Sequence, residues 1–166
     1  MKKTGVLALA LFLVFFCLSG ALAQPPAPSL PGNLKIEPPA AGVSPRLAQL
    51  SGVWEGMWDY KPKGAGGGLA VGPMDAAGRG LKIAIVKITP PNVAAIYAFG
   101  GSAEKPGKSF RIRDASVAGD TIVLRWGKPG KKRTLTLSPT GNPKMADAKL
   151  QFEGGAKVLT AKLRKK

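Results

Sequence analysis

The chain predicts an all-β fold, an eight-stranded antiparallel up-and-down barrel entered through one short helical turn, and three observations carry that prediction. After Leu50 the apolar residues recur in short runs with a period near two, and no helical period of useful length follows. Clusters of Gly, Pro, Asn and Asp with turn chemistry separate the runs. The runs number eight, and a meander of that many short strands must hide its two edges, most simply by pairing the first strand with the last.

The elements follow in order. Residues 1–23 read as a secretory signal peptide: Lys2 and Lys3 supply the positive start, Val6 to Leu18 are unbroken apolar residues, and Ala21-Leu22-Ala23 gives the small-x-small cleavage pattern. Cleavage after Ala23 leaves Gln24 as the mature start and a periplasmic or secreted product. The apolar run is well short of the roughly 20 residues that a spanning helix needs, so the product is expected not to be membrane-spanning. An uncleaved anchor is the alternative. A lipoprotein acylated at Cys17 is a further one, opposed by Phe15-Phe16 where that processing wants small residues. Cys17 is the only cysteine and leaves with the signal, so the mature chain has neither disulfide nor thiolate ligand.

Residues 24–46 form a Pro/Ala-rich linker without apolar period, an extended and semi-rigid tether. Ser44 to Leu50 reads as the short helix, with Ser44 at the cap and Pro45 at the first helical position. The β-barrel domain spans 47–166, long enough for a single core.

Its strands are expected at Gly52–Tyr60, Leu81–Ile88, Val93–Phe99, Ser109–Val117, Thr121–Trp126, Arg133–Ser138, Lys144–Glu153 and Lys157–Arg164. The connections are short except the glycine-rich stretch from Lys61 to Gly80, which is either a lid over one end or a tolerated insertion. Register is tested at Ala118-Gly119-Asp120. With Val117 opposite Thr121, Phe110, Ile112 and Asp114 share the inner face with Ile122, Leu124 and Trp126, while Arg111, Arg113 and Arg125 form an outward basic stripe.

The start of the domain, Leu50-Ser51-Gly52-Val53-Trp54-Glu55-Gly56-Met57-Trp58, carries Gly-x-Trp on the first strand after a helical turn. It resembles the opening of lipocalins and their calycin relatives, and the plan is similar to small, uncharacterised bacterial periplasmic domains. The resemblance implies that Trp54 plugs the closed end of the barrel and that a basic residue near the end of the last strand, Arg164, packs across it, as cation-π attraction favours. The other lipocalin signatures are not recognisable, and two core tryptophans in some other β-sandwich or barrel remain the competing reading.

Function is bounded more than named. Histidine is absent, which removes the usual neutral-pH proton shuttle and, with cysteine gone, the usual soft metal ligands, so no metal, cofactor or catalytic residue is expected and the chain reads as no enzyme. Glu55 and Asp59, four apart on one strand, lie roughly 13 Å apart, too far for a glycosidase pair. Residues 101–109 nearly spell a phosphate-binding loop but have one residue too many and a strand where a helix is required. Without Lys2 and Lys3 the chain keeps 23 basic residues against nine acidic ones, a net charge of +14 that draws it toward anionic surfaces.

Two readings follow. The first is a non-catalytic binding module holding a small hydrophobic or amphipathic ligand inside the barrel, lined by Trp58, Tyr60, Tyr97, Phe99 and Trp126. The second is a basic protein that meets an anionic envelope polymer or a protein, inhibitor-like, through an outer face of Arg111, Arg113, Arg125, Lys131, Lys132 and Arg133. Nucleic acid is not expected, since the aromatic residues fall on the inner face instead of among the bases. A filled interior favours the second reading and an open one the first.

Overall fold

The computed structural model describes residues 28–59, 80–100, 107–155 and 158–166. The signal segment, Tyr60, most of the glycine-rich linker and the near-phosphate loop at 101–106 lie outside the described residues. One short helix, α1 (Pro45–Ala48), precedes β1 (Gly52–Met57), β2 (Gly80–Thr89), β3 (Asn92–Phe99), β4 (Lys108–Ile112), β5 (Asp114–Ala118), β6 (Thr121–Trp126), β7 (Arg133–Pro139), β8 (Met145–Phe152) and β9 (Val158–Lys165). Every pairing is antiparallel, and the ring runs β1, β2, β3, β5, β6, β7, β8, β9 and back to β1. The result is a closed eight-stranded barrel with β4 outside it. Closure of β1 on β9 removes both edges of the meander, the reason such a string of short strands does not stay an open sheet.

Alternation decides what lies inside. In β8, Ala146, Ala148 and Leu150 are buried while Asp147, Lys149 and Gln151 are exposed; in β9, Leu159, Ala161 and Leu163 are buried between exposed neighbours. Ile83, Ile85, Ile122, Leu124, Leu135, Leu137 and Leu163 are fully buried. Each such side chain contributes about 1.5–3 kcal/mol, against about 0–1 kcal/mol for an exposed ion pair. Stability therefore resides in the interior, and the surface charges are largely free for other work.

α1 closes one end. Ser44 Oγ accepts the Leu47 N–H at 3.2 Å as the cap and donates to Asp120 Oδ1 at 2.9 Å, tying the helix to the β5–β6 turn, with Leu47 and Leu50 buried beneath it. The segment before α1 is extended, but it does not hang free along its length. β1 leaves β2 at Ile85, and beyond that point the Glu37 N–H donates to the Val86 carbonyl at 2.8 Å and the Ala40 N–H to the Ile88 carbonyl at 3.0 Å. Lys87 Nζ meets Glu37 Oε2 at 2.8 Å on the same stretch. The proline-rich chain thus covers the edge of β2 that β1 vacates.

The expected strand Ser109–Val117 is broken at Arg113 into β4 and β5, and the register is one residue from the expected one: Val117 faces Ile122 and Ala118 faces Thr121. Ile112 and Ala115 are both buried, with Arg113 and Asp114 exposed between them. Two consecutive outward residues act as a bulge does, reversing the inward parity and bending the strand. Phe110, Ile112, Leu124 and Trp126 therefore still face inward and Arg111, Arg113 and Arg125 outward, but Asp114 joins the arginines outside.

Candidate functional site

Trp54 is fully buried, its indole N–H donating to the Leu50 carbonyl at 2.8 Å. The cation on its ring is Lys165, with Nζ 5.4 Å from the centroid and donating to the Gln49 carbonyl at 2.9 Å. Arg164, given that part by the resemblance, is exposed and pairs in register with Glu55. The reason is parity: Leu159, Ala161 and Leu163 point inward, so the next inward position is Lys165. Burial pulls the Lys165 ammonium below its usual range. Gly52, at φ +119, lets this happen, because a Cβ there would lie 2.8 Å from Lys165 Cε.

The opposite end is aromatic. Trp58 and Tyr97 are buried, and the Trp58 indole N–H donates to the Tyr97 hydroxyl at 3.2 Å. Tyr97 packs on Trp126 at 5.1 Å between centroids, on Phe110 at 5.7 Å and on Phe99 at 6.2 Å, and Phe110 meets Trp126 edge-on at 6.0 Å. These are contact distances for aromatic pairs. Burial raises the Tyr97 phenol above its usual range, against the opposing pull of the Trp58 hydrogen bond and the Arg133 charge. Four of the five side chains proposed as an interior lining are thus gathered at one end, joined by Phe110. The fifth, Tyr60, lies outside the described residues.

Outside this cluster, where β4 parts from β6, is a concavity of about 400 Å3 lined by Arg111, Arg113, Asp114, Arg125, Trp126, Gly127, Lys132 and Thr134. Three sequence features build it. The break at Arg113 swings β4 away from β6; Trp126, half-buried, floors the gap; and Gly127, at φ +114, permits the tight β6–β7 turn that brings Lys132 alongside. A Cβ at Gly127 would collide with the Lys131 carbonyl.

Four of the six proposed anion-binding residues meet here. Lys131 stays on the exposed turn, and Arg133 turns the other way, its guanidinium 5.6 Å above the Phe152 ring. Arg125 is engaged by Asp114 at 3.4 Å and by Ser116 at 3.4 Å. The Arg111 and Arg113 guanidinium groups and the Lys132 ammonium have no hydrogen-bond or ion-pair partner among the described residues. Trp126 and Thr134 were not assigned to this face by sequence reasoning. A tryptophan immediately before the Gly-Lys-Pro-Gly turn, five residues ahead of Lys131-Lys132, was the available signal.

Most acids elsewhere are occupied, the Asp59 carboxylate being the exception among the described residues. Glu37 pairs with Lys87, Glu55 with Lys82 and Lys166, Asp120 with Arg46, Asp147 with Lys162, and Glu153 accepts the Lys132 backbone N–H. Among the described residues no three metal-ligating side chains come together, and no helix is long and apolar enough to cross a membrane. Comparison with protein-family models, with curated proteins and with solved structures finds no match to this chain.

Proposed function

We propose that the mature chain is a periplasmic or secreted, non-catalytic interaction protein, built on a lipocalin-like barrel, that holds an anionic partner in the wedge between β4 and β6. The observation that carries this reading is the convergence of the Arg111, Arg113 and Lys132 side chains on one concavity without an ion-pair partner among the described residues, the one acid in its lining, Asp114, being engaged by Arg125. Such a cluster focuses a positive field that an anion can discharge. The lipocalin-like assignment rests on Gly52-Val53-Trp54 and the closed barrel, and the export reading on residues 1–23. Against a small apolar ligand held inside, Tyr97, Phe99 and Trp126 occupy the space by packing on one another.

The test is a salt titration of binding to polyphosphate and to anionic phospholipid vesicles, for wild type beside the Arg111→Gln, Arg113→Gln, Lys132→Gln triple variant. The reading predicts that affinity for at least one probe fades as the screening length falls from about 10 Å at 0.1 M salt to about 3 Å at 1 M, and that the triple variant loses it at low salt. Binding that survives both changes returns the weight to the interior.

A further inference from the structure

We propose, building on the anionic-partner reading, that the wedge is a strand-addition site and that its partner is an extended acidic polypeptide segment laid along the free edge of β4. β4 pairs with β3 on one side only and has no strand partner on the other among the described residues. Antiparallel strands direct the N–H and C=O groups of alternate residues to either side, so about half of the β4 backbone groups face that open edge. The edge presents donors and acceptors together. A polyphosphate supplies acceptors alone and leaves the β4 carbonyls facing oxygen, whereas a peptide strand answers donors and acceptors in alternation.

The side chains select the charge of the peptide. Arg111 on β4 and Arg113 at the break just past its last residue, Ile112, lie two residues apart and are both exposed. An added strand with acids at alternate positions sets a carboxylate against each. Lys132 faces them from the far wall, and Trp126 forms an apolar floor for the residues between the acids. Bare edges are commonly guarded by cations that repel pairing. Here the charges line a cleft with two walls and an aromatic floor, which is the shape of a receptor for a strand.

The experiment uses the mature protein and an end-blocked peptide of about nine residues in which Glu alternates with Thr, a composition that favours extended backbone. Two further versions carry N-methyl groups, one on the Glu nitrogens and one on the Thr nitrogens. Because the acids must face Arg111 and Arg113, only one set of amides meets β4. One methylated version is expected to bind at least roughly tenfold more weakly than the parent and the other to bind like it, about the effect of a lost backbone hydrogen bond. Amide exchange across Ser109–Ile112 is expected to slow when the parent peptide binds. An Arg111→Glu, Arg113→Glu variant is expected to lose the peptide.

If that variant loses the peptide but both methylated versions bind like the parent, strand addition is overturned while the anion reading stands. Polyphosphate of equal charge binding more tightly than the peptide has the same meaning. If the variant binds the peptide unchanged, or if wild type binds no acidic probe at all, both fail.

Discussion

The two ends of this barrel solve the same problem differently. At the α1 end every prominent group is answered inside the chain: the Trp54 N–H by Leu50, the Lys165 ammonium by Gln49 and the indole face, Asp120 by Ser44 and Arg46. At the end bearing Trp126 the interior is packed ring on ring, yet three cations just outside have no partner among the described residues. A satisfied end stabilises. An unsatisfied one is either a liability or a binding surface, and the wedge geometry favours the second.

Substitutions can break that contrast, beginning with the largest effect. Trp54→Ala should cost about 3–5 kcal/mol, as emptying a fully buried aromatic site does, and Trp126→Ala distinctly less because its ring is only partly buried. Denaturant melts of the two variants decide; equal losses would erase the distinction between plug and floor.

Next, Lys165→Met should cost about 0.5–2 kcal/mol through the lost cation-π contact, while Arg164→Met should stay within about 0.5 kcal/mol. The reverse order would restore Arg164 to the plug. Tyr97→Phe removes the acceptor of the Trp58 N–H and should cost about 1 kcal/mol near neutral pH.

The same tyrosine gives a pH signature. Burial raises its folded pKa above the ordinary tyrosine value of about 10, so the folded state holds the proton more tightly and the contribution is whole below that value and lost as pH rises above it. Lys165, held below its usual range, works in the opposite direction and is present in both proteins compared. Wild type should therefore lose stability relative to Tyr97→Phe above about pH 10, and parallel curves through that window would contradict the burial of the phenol. The smallest effect belongs to the wedge. Arg111→Gln with Arg113→Gln should leave stability within about 0.5 kcal/mol of wild type, because no interaction among the described residues is removed.

How much of this was legible in the sequence differs from one element to the next. The strands and the Ser44 cap could be read because each follows from a local rule, period two and side-chain capping, whereas the inward place of Trp54 was expected from the resemblance that Gly52-Val53-Trp54 carries. The break at Arg113 left a trace, since the apolar pairs Phe110/Ile112 and Ala115/Val117 have opposite parity, but an alternation rule carried straight through placed Asp114 inside. Lys165 was equally legible from the inward parity of Leu159, Ala161 and Leu163, whereas the resemblance asks only for a basic residue near the end of the last strand, which Arg164 satisfies as well. The docking of Glu37 and Ala40 on β2 had no local signal: it depends on where β1 departs, a property of the assembled sheet. The division of Lys131, Lys132 and Arg133 among turn, wedge and Phe152 likewise depends on the conformation of Gly127.

The central claim, that binding is localised to the wedge, is met most directly by mapping backbone and indole NMR shifts as polyphosphate and the Glu/Thr peptide are titrated into the mature protein. The account predicts shifts concentrated at Arg111, Arg113, Lys132 and the Trp126 indole, with the Trp54 indole unmoved for both probes. Shifts spread evenly over exposed cations such as Lys149 and Lys162 on the opposite strands would contradict it, leaving a basic barrel with no selected face.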